Sequence, residues 1–80
     1  MKLFTVLTVF SESAEKIGGI DVSQVTVGGY GMRNALASLS FALRDFTIFD
    51  VSMSDSYISV SVPRTDEKDA FDAVCKEFSI

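Results

Sequence analysis

The sequence predicts an α+β domain in which a four-stranded antiparallel sheet carries two helices on one face, in the order β-β-α-β-β-α. Three observations lead to this prediction. Four segments show the apolar alternation or the β-branched runs of strands, and two others show apolar residues at helical spacing. Each helical segment follows a pair of strands, so both helices can cover the same side of an antiparallel sheet. A chain of 80 residues is one small domain, residues 1–80.

The first two predicted strands are residues 2–10 and residues 20–28. Strand 2–10 has apolar side chains on both faces, which is typical of a strand covered on both sides. Residues 11–19 are polar and end in two glycines. They are predicted as a long hairpin loop, because a helix of that length is not stable on its own. The alternation in strand 20–28 slips near its middle, which predicts a β-bulge at Ser23–Gln24.

Three glycines around a tyrosine, in residues 28–31, lead into the clearest helix, residues 32–46. Strand, glycine loop and helix is also the order of a phosphate-binding loop. A Walker-type loop needs Lys and Ser or Thr directly after its last glycine, whereas Met32 and Arg33 follow here. The dinucleotide fingerprint needs a third glycine that this loop lacks. We therefore expect the glycines to allow a tight turn with positive φ, with an anion held beside Arg33 as the alternative.

Helix 32–46 has an apolar stripe and an outer face. The stripe recurs at three- and four-residue steps and consists of Met32, Ala35, Leu36, Leu39, Ala42, Leu43 and Phe46. Phe41 lies about 180° from Met32 on a helical wheel, so it is predicted to point away from the core. Ala37, Arg33 and Arg44 lie on the same outer side.

Residues 47–53 and 57–62 are predicted to form a second hairpin with Asp55–Ser56 as its turn. In this register the apolar side chains face one another across the strands and the polar side chains do the same, which favours it over any slipped pairing. The predicted apolar pairs are Met53 with Ile58, Val51 with Val60 and Phe49 with Val62.

The last predicted helix covers residues 66–78, with Thr65 as its N-cap. Its inner stripe is Ala70, Phe71, Val74, Cys75 and Phe78. Cys75 is the single cysteine of the chain, and its place on that stripe predicts a packing role rather than a reactive thiol.

The residue types present exclude several kinds of chemistry. The chain has no histidine, which removes the commonest general base and every Ser-His or Cys-His dyad. One cysteine without histidine cannot form a zinc site, and the carboxylates lack the spacing of a calcium-binding loop. We therefore expect no enzymatic activity, no metal and no cofactor.

Charge and hydropathy limit the location and the partners of the chain. Seven basic and eleven acidic residues give a net charge of −4, which argues against non-specific binding to nucleic acid. No apolar run approaches the length of a membrane-spanning helix. The apolar N-terminal run is interrupted by threonines and is interpreted as a strand rather than a signal peptide. A single cysteine fits a reducing compartment, so we expect a cytoplasmic protein.

Apolar residues make up 48% of the chain, which is more than a domain of this size readily buries. A second copy or a partner is the usual way to cover such an excess. We therefore expect a protein-binding module that covers a partner's surface and forms a homodimer, with its seam on the open face of strand 2–10 or on the outside of helix 32–46. The expected interface residues are Phe4, Val6, Phe10, Tyr30, Arg33, Ala37, Phe41 and Arg44.

In size, acidity and lack of the usual catalytic groups, the chain resembles small phage-encoded inhibitors as a class, which implies an inhibitor or an adaptor. This is a resemblance of bulk properties that no motif carries. The competing hypothesis is a nucleic-acid-binding module that uses Lys2, Lys16, Arg33, Arg44 and Tyr30. A third is a structural homo-oligomer with no other activity.

Overall fold

The computed structural model describes residues 3–79 and confirms the predicted architecture. The four strands form one antiparallel sheet in the order β1-β2-β4-β3, where β1 is Thr5–Ile17, β2 is Ile20–Tyr30, β3 is Asp50–Met53 and β4 is Tyr57–Pro63. Helix α1 (Leu36–Ala42) follows β2 and helix α2 (Glu67–Phe78) follows β4. Each helix is preceded by a short 3-10 helix, Met32–Ala35 and Arg64–Asp66.

Both helices pack against one face of the sheet. The hydrophobic core joins side chains of the two helices to side chains that alternate along β2 and β4, namely Val25, Val27, Ile58, Val60 and Val62. Polar residues such as Thr26 and Ser59 pair across the same two strands on the opposite face. The face without helices is therefore largely polar.

The first hairpin is longer and tighter than the sequence predicted. Strand β1 continues through the segment predicted as a loop, and Ile17 pairs with Ile20. Gly18 and Gly19 have φ values of 57° and 82°, which is the conformation of a two-residue turn between antiparallel strands. The loop prediction was wrong because polar residues of a strand at the sheet edge need no buried face, and backbone pairing with β2 is enough to hold them.

The irregularity predicted on the second strand lies on the first. Strand β2 pairs with β4 without a shift from Val22 to Gly28. The register between β1 and β2 shifts between Val6 and Thr8, which leaves Leu7 as an extra residue, and it shifts again between Ala14 and Ile17. A bulge of this kind reverses the alternation of the residues that follow it.

The bulge at Leu7 decides which side chains of β1 reach the core. Phe4 and Val6, before the bulge, and Val9, after it, all pack against the core cluster. Phe10 pairs with Thr26 on the opposite face and stays exposed. The prediction that Phe4 and Val6 share an open face with Phe10 was therefore wrong.

The glycine loop brings two backbones close together. A Cβ atom at Gly29 would collide with the carbonyl of Thr5, and one at Gly31 would crowd the carbonyl of Leu3. Only Gly31, with φ of 65°, has the positive φ that was predicted for the loop. Close approach to the start of β1 is the second reason for glycine here.

The segment predicted as one helix is a 3-10 turn, a short α-helix and a further turn. Leu43 has left the helical conformation, with φ of −103° and ψ of 17°, yet its side chain is fully buried together with those of Met32, Ala35 and Leu39. The predicted stripe is therefore correct although the helix is shorter. The spacing of apolar residues indicates which face is buried, but it does not indicate which backbone hydrogen bonds form.

The second hairpin has the predicted register. Met53 pairs with Ile58 and Val51 with Val60, around a turn at Asp55–Ser56 in which the Ser54 N–H donates to the Tyr57 carbonyl over 2.8 Å. Strand β3 begins only at Asp50, so the segment 47–49 lies outside it. The predicted pair of Phe49 with Val62 is replaced by a hydrogen bond of 2.8 Å from the Phe49 N–H to the Ser61 carbonyl.

Helix α2 has the predicted inner stripe but a different start. Its N-cap is Asp66 rather than Thr65, and no side chain caps it, because the 3-10 turn at Arg64–Asp66 takes the place of the expected first turn. Ala70 and Val74 are fully buried, and Phe71, Cys75 and Phe78 are half-buried. The Phe78 ring meets the Phe4 ring edge-on, with centroids 5.9 Å apart.

Candidate protein-interaction site

The end of α1 presents an aromatic side chain to solvent. Phe41 is 59% exposed, and the guanidinium carbon of Arg44 lies 4.2 Å from the centroid of its ring. The Arg44 Nη1 also donates a hydrogen bond of 2.8 Å to the Phe41 carbonyl. We call this pair, with the groove beside it, the Phe41 site.

The local sequence explains why Arg44 folds over Phe41. The α-helix ends at Ala42, so the last carbonyls of α1 have no partner within the helix. A cation near a helix C-terminus is favoured by the helix dipole and can satisfy one of these carbonyls. Arg44 does so, and its planar guanidinium then lies over the neighbouring aromatic face.

A groove of about 440 Å³ separates the end of α1 from the last turns of α2. Its apolar lining comes from Phe41, Ala42, Phe46 and Ala73. Two positive side chains and two negative ones line it as well, namely Arg44, Lys76, Asp45 and Glu77. Aromatic residues and arginine are enriched at protein–protein interfaces.

The other predicted interface residues lie on different parts of the structure. Ala37 is exposed and lies four residues before Phe41 in α1, so it extends the Phe41 site. Arg33 is exposed on the preceding 3-10 helix. Phe4 and Val6 belong to the core, whereas Phe10 is exposed on the polar face of the sheet.

Among residues 3–79, the side chains proposed for nucleic-acid binding are not gathered on one surface. Lys16 lies at the turn end of the first hairpin and forms an ion pair of 3.4 Å with Asp21. Tyr30 is exposed at the opposite end of β2. Arg44 is stacked on Phe41, and Lys2 lies outside the described residues.

A carboxylate that the sequence did not single out ties α2 to the first hairpin. The Glu67 carboxylate accepts a hydrogen bond from the Ser23 hydroxyl and another, of 2.9 Å, from the Ser11 hydroxyl. These two bonds, and to a smaller degree the charge of Arg64, hold the pKa of the Glu67 carboxyl below its ordinary value against the opposing effect of burial. The partners are 44 and 56 residues apart in sequence, so no local spacing indicates the contact.

The thiol of Cys75 has the environment of a packing residue. It is half-buried on the inner side of α2. Burial, and next the negative charge of Asp72, raise the pKa of the Cys75 thiol, which lowers its reactivity as a nucleophile.

The edge strand β3 leaves apolar side chains uncovered on the helix-bearing face. Val51 is 44% exposed and Met53 is 38% exposed. Their ladder partners on β4, Val60 and Ile58, are only 2% and 0% exposed. Ile48, just before β3, is exposed as well. The core therefore stops at β4, and β3 continues its apolar face without a helix above it.

Neither protein families nor curated proteins give a relative of this chain. No protein-family model matches the chain, and no curated protein is similar to it at a significant level. Within residues 3–79, no cluster of three or more acidic, cysteine or histidine side chains is arranged to bind a metal ion. No helix in that range is long and apolar enough to cross a membrane.

Proposed function

We propose that this chain is a small non-catalytic protein-binding module that covers a surface of its partner with the Phe41 site. In this proposal the chain is an inhibitor or an adaptor of the phage type, and it acts in the cytoplasm as a homodimer. The observation that carries the proposal is the exposed Phe41 ring under the Arg44 guanidinium, at the mouth of the groove. Exposed aromatic and arginine side chains supply most of the binding energy at many interfaces.

Pre-organisation of the site supports binding. The Arg44 guanidinium packs on the Phe41 ring and also donates a hydrogen bond to the Phe41 carbonyl. A side chain that is already ordered loses less conformational entropy when a partner arrives. The pair therefore offers a contact area at a low entropic cost.

The groove favours binding over catalysis. The side chains that line it are apolar or charged, and none of those described is a hydroxyl, a thiol or an imidazole, which leaves only carboxylates and cations as reactive groups. A partner that inserts an apolar side chain and carries charges of both signs around it would match this lining. The net charge of −4 favours association with a basic surface.

The experiment is affinity capture from the native host with identification of the bound proteins. The tagged wild type is compared with Phe41→Ser and with Tyr30→Ser, a matched control that removes an exposed aromatic residue at another place. We expect the wild type and Tyr30→Ser to retain the same partner and Phe41→Ser to lose it. Retention of that partner by Phe41→Ser at wild-type yield would contradict the proposal. Capture of nuclease-sensitive material that Tyr30→Ser loses would favour the nucleic-acid hypothesis instead.

A further inference from the structure

We propose that the free edge of β3 is the seam of a homodimer, in which β3 of a second copy pairs with it antiparallel about a two-fold axis through Ser52. This inference rests on the homodimer included in the proposed function. It replaces the two seams expected from the sequence, and it leaves the Phe41 site free for a partner.

The first observation is the break in burial between two paired strands. Val51 and Met53 point to the same face as their ladder partners Val60 and Ile58, yet they are exposed while those partners are buried. A β-strand that continues the apolar face of a sheet is covered in most proteins. A second copy that extends the sheet would place further apolar side chains beside Val51 and Met53.

The second observation is the contrast between the two edges of the sheet. Strand β1 has two register shifts and carries Glu12, Glu15 and Lys16, and both bulges and charged residues protect an edge from pairing. Strand β3 pairs with β4 without a shift, and its one charged residue is Asp50 at its start. The edge of β3 therefore lacks the bulges and most of the charges that protect β1, although its four residues make it a short edge.

The hydrogen bonds of β3 show which backbone groups face outward. The Ser54 N–H donates to Tyr57 of β4, and along an antiparallel strand the groups facing a given neighbour alternate. The Phe49 N–H also donates to β4, at the Ser61 carbonyl, but Phe49 precedes the ladder, in which Asp50 is the partner of Ser61. The groups of Val51 and Met53 therefore point to the free edge. The Val51 N–H agrees with this, since it donates over 2.9 Å to the Asp50 side chain rather than to β4.

These directions and the charges together favour a register centred on Ser52. Residues paired in a continuous sheet must point to the same face. An axis through Ser52 places Val51 of each copy opposite Met53 of the other copy. It also places Asp50 of each copy opposite Ser54 of the other. An axis through Val51 would instead bring the two Asp50 carboxylates within two residues of each other, where like charges repel.

The size of the seam predicts a weak dimer. A stable interface buries about 800 Å² on each partner, which is roughly a sixth of the 4906 Å² that the chain exposes. Four residues of β3 and the neighbouring Ile48 supply only part of such an area. The Val51 N–H must also exchange the Asp50 carboxylate for a carbonyl of the second copy. We expect a dissociation constant of roughly micromolar order, at the weak end for protein interfaces.

Disulfide trapping tests the register directly. In a Cys75→Ala background, Ser52→Cys should cross-link two chains under mild oxidation, because non-hydrogen-bonded partners across antiparallel strands have Cα atoms about 4.5 Å apart and a disulfide needs about 4.4–6.8 Å. Asp50→Cys is the matched control on the same strand and face. Its two copies would be four residues apart, about 13 Å along the strand, so we expect no cross-link. Efficient cross-linking of Asp50→Cys, or none of Ser52→Cys, would overturn the register.

Sedimentation velocity tests the seam without cysteines. The wild type should change from monomer to dimer as its concentration rises through the micromolar range, and Val51→Lys should remain monomeric at every concentration. Phe10→Lys, on the other edge, should dimerise like the wild type, and Asp50→Ala should dimerise at a lower concentration because a competing acceptor is gone.

Three outcomes would overturn the seam. In the first, the wild type stays monomeric at hundreds of micromolar. In the second, Phe10→Lys disrupts the dimer and Val51→Lys does not. In the third, the protein is a monomer and its Ser52→Cys variant cross-links to another protein. If Val51→Lys fails to fold, the comparison of Ser52→Cys with Asp50→Cys decides the question. None of these outcomes depends on partner capture by Phe41, so failure of the seam and failure of the proposed function are distinguishable.

Discussion

The guanidinium of Arg44 lies 4.2 Å from the centre of the Phe41 ring, so a cation packs on the outward aromatic side chain of α1. The helix ends between these two residues, and the Phe41 carbonyl accepts hydrogen bonds from both the backbone N–H and the Nη1 of Arg44, over 3.3 Å and 2.8 Å. The end of the helix therefore brings together the exposed ring and the cation that packs on it.

Removal of this cation should have a small effect on stability. We expect Arg44→Ala to lower the free energy of unfolding by about 0.5–1 kcal/mol, the range for an exposed cation–π pair. A double-mutant cycle with Phe41→Ala in urea denaturation isolates the interaction of the two side chains. A coupling energy of zero would show that the pair does not hold in solution.

Loss of the Glu67 carboxylate should change how stability depends on pH. The pKa of Glu67 is lowered in the folded protein, so its contribution to stability is present above the unfolded value, about 4.5, and is lost as the pH falls through the folded value. We expect the wild type to lose stability below pH 4.5 more steeply than Glu67→Gln. Glu12→Gln is the control, because it removes an exposed carboxylate from the hairpin that carries Ser11 and Ser23. Parallel curves for the wild type and Glu67→Gln would contradict the Ser11 and Ser23 contacts.

Substitution of the loop glycines should separate steric collision from backbone strain. Gly29→Ala places a methyl group against the Thr5 carbonyl, and we expect a loss of about 1–3 kcal/mol or more from overpacking. Gly18→Ala meets no atom within 4 Å and is strained only by its positive φ, at about 1–2 kcal/mol. Thermal denaturation compares the two variants. A Gly29→Ala variant as stable as the wild type would mean that β1 does not approach this loop as described.

Substitution of Cys75 should cost stability and leave binding intact. We expect Cys75→Ala to lower the free energy of unfolding by about 1–2 kcal/mol, because packing contacts are lost on the inner side of α2. A thiol reagent should react slowly with the native protein, since the thiol is partly buried and its pKa is raised. Labelling as fast as in the unfolded chain would contradict a packing role.

Nucleotides should leave the melting temperature unchanged. The amide of Met32 at the start of the first 3-10 helix donates to the Asp55 carbonyl, and the amide of Gly29 donates to the Ser56 carbonyl, each over 2.9 Å. These N–H groups would have to be free to cradle a phosphate. A ligand at a hundredfold excess over its dissociation constant would add about 2.7 kcal/mol of stability. A clear thermal shift with ATP, GTP or NAD would show that the loop binds phosphate after all.

The parts of the fold that the sequence predicted are those in which local pattern and burial agree. The pairing of Met53 with Ile58 follows from one register that separates apolar from polar residues. The outward position of Phe41 follows from its angle to the apolar stripe, and it is correct although the helix is shorter than predicted. Both inferences depend only on residues close together in the chain.

The parts that the sequence did not predict depend on contacts between distant segments. The bulge at Leu7 lets β1 pair with β2 while Phe4 and Val6 pack toward the helices. The alternation of residues within β1 does not indicate where such a bulge lies. The contacts of Glu67 have the same origin. Exposure of Val51 could not be foreseen either, because it depends on how far α1 extends over the sheet.

Photo-cross-linking in the native host tests the Phe41 site most directly. A photoreactive residue in place of Ala37, one helical turn from Phe41, should form a discrete covalent adduct with another protein. The adduct should disappear when Phe41→Ser is added and persist when Tyr30→Ser is added. An adduct at position 37 that survives Phe41→Ser unchanged, or the absence of any adduct other than one between two copies of this chain, would contradict a partner-binding role for the Phe41 site.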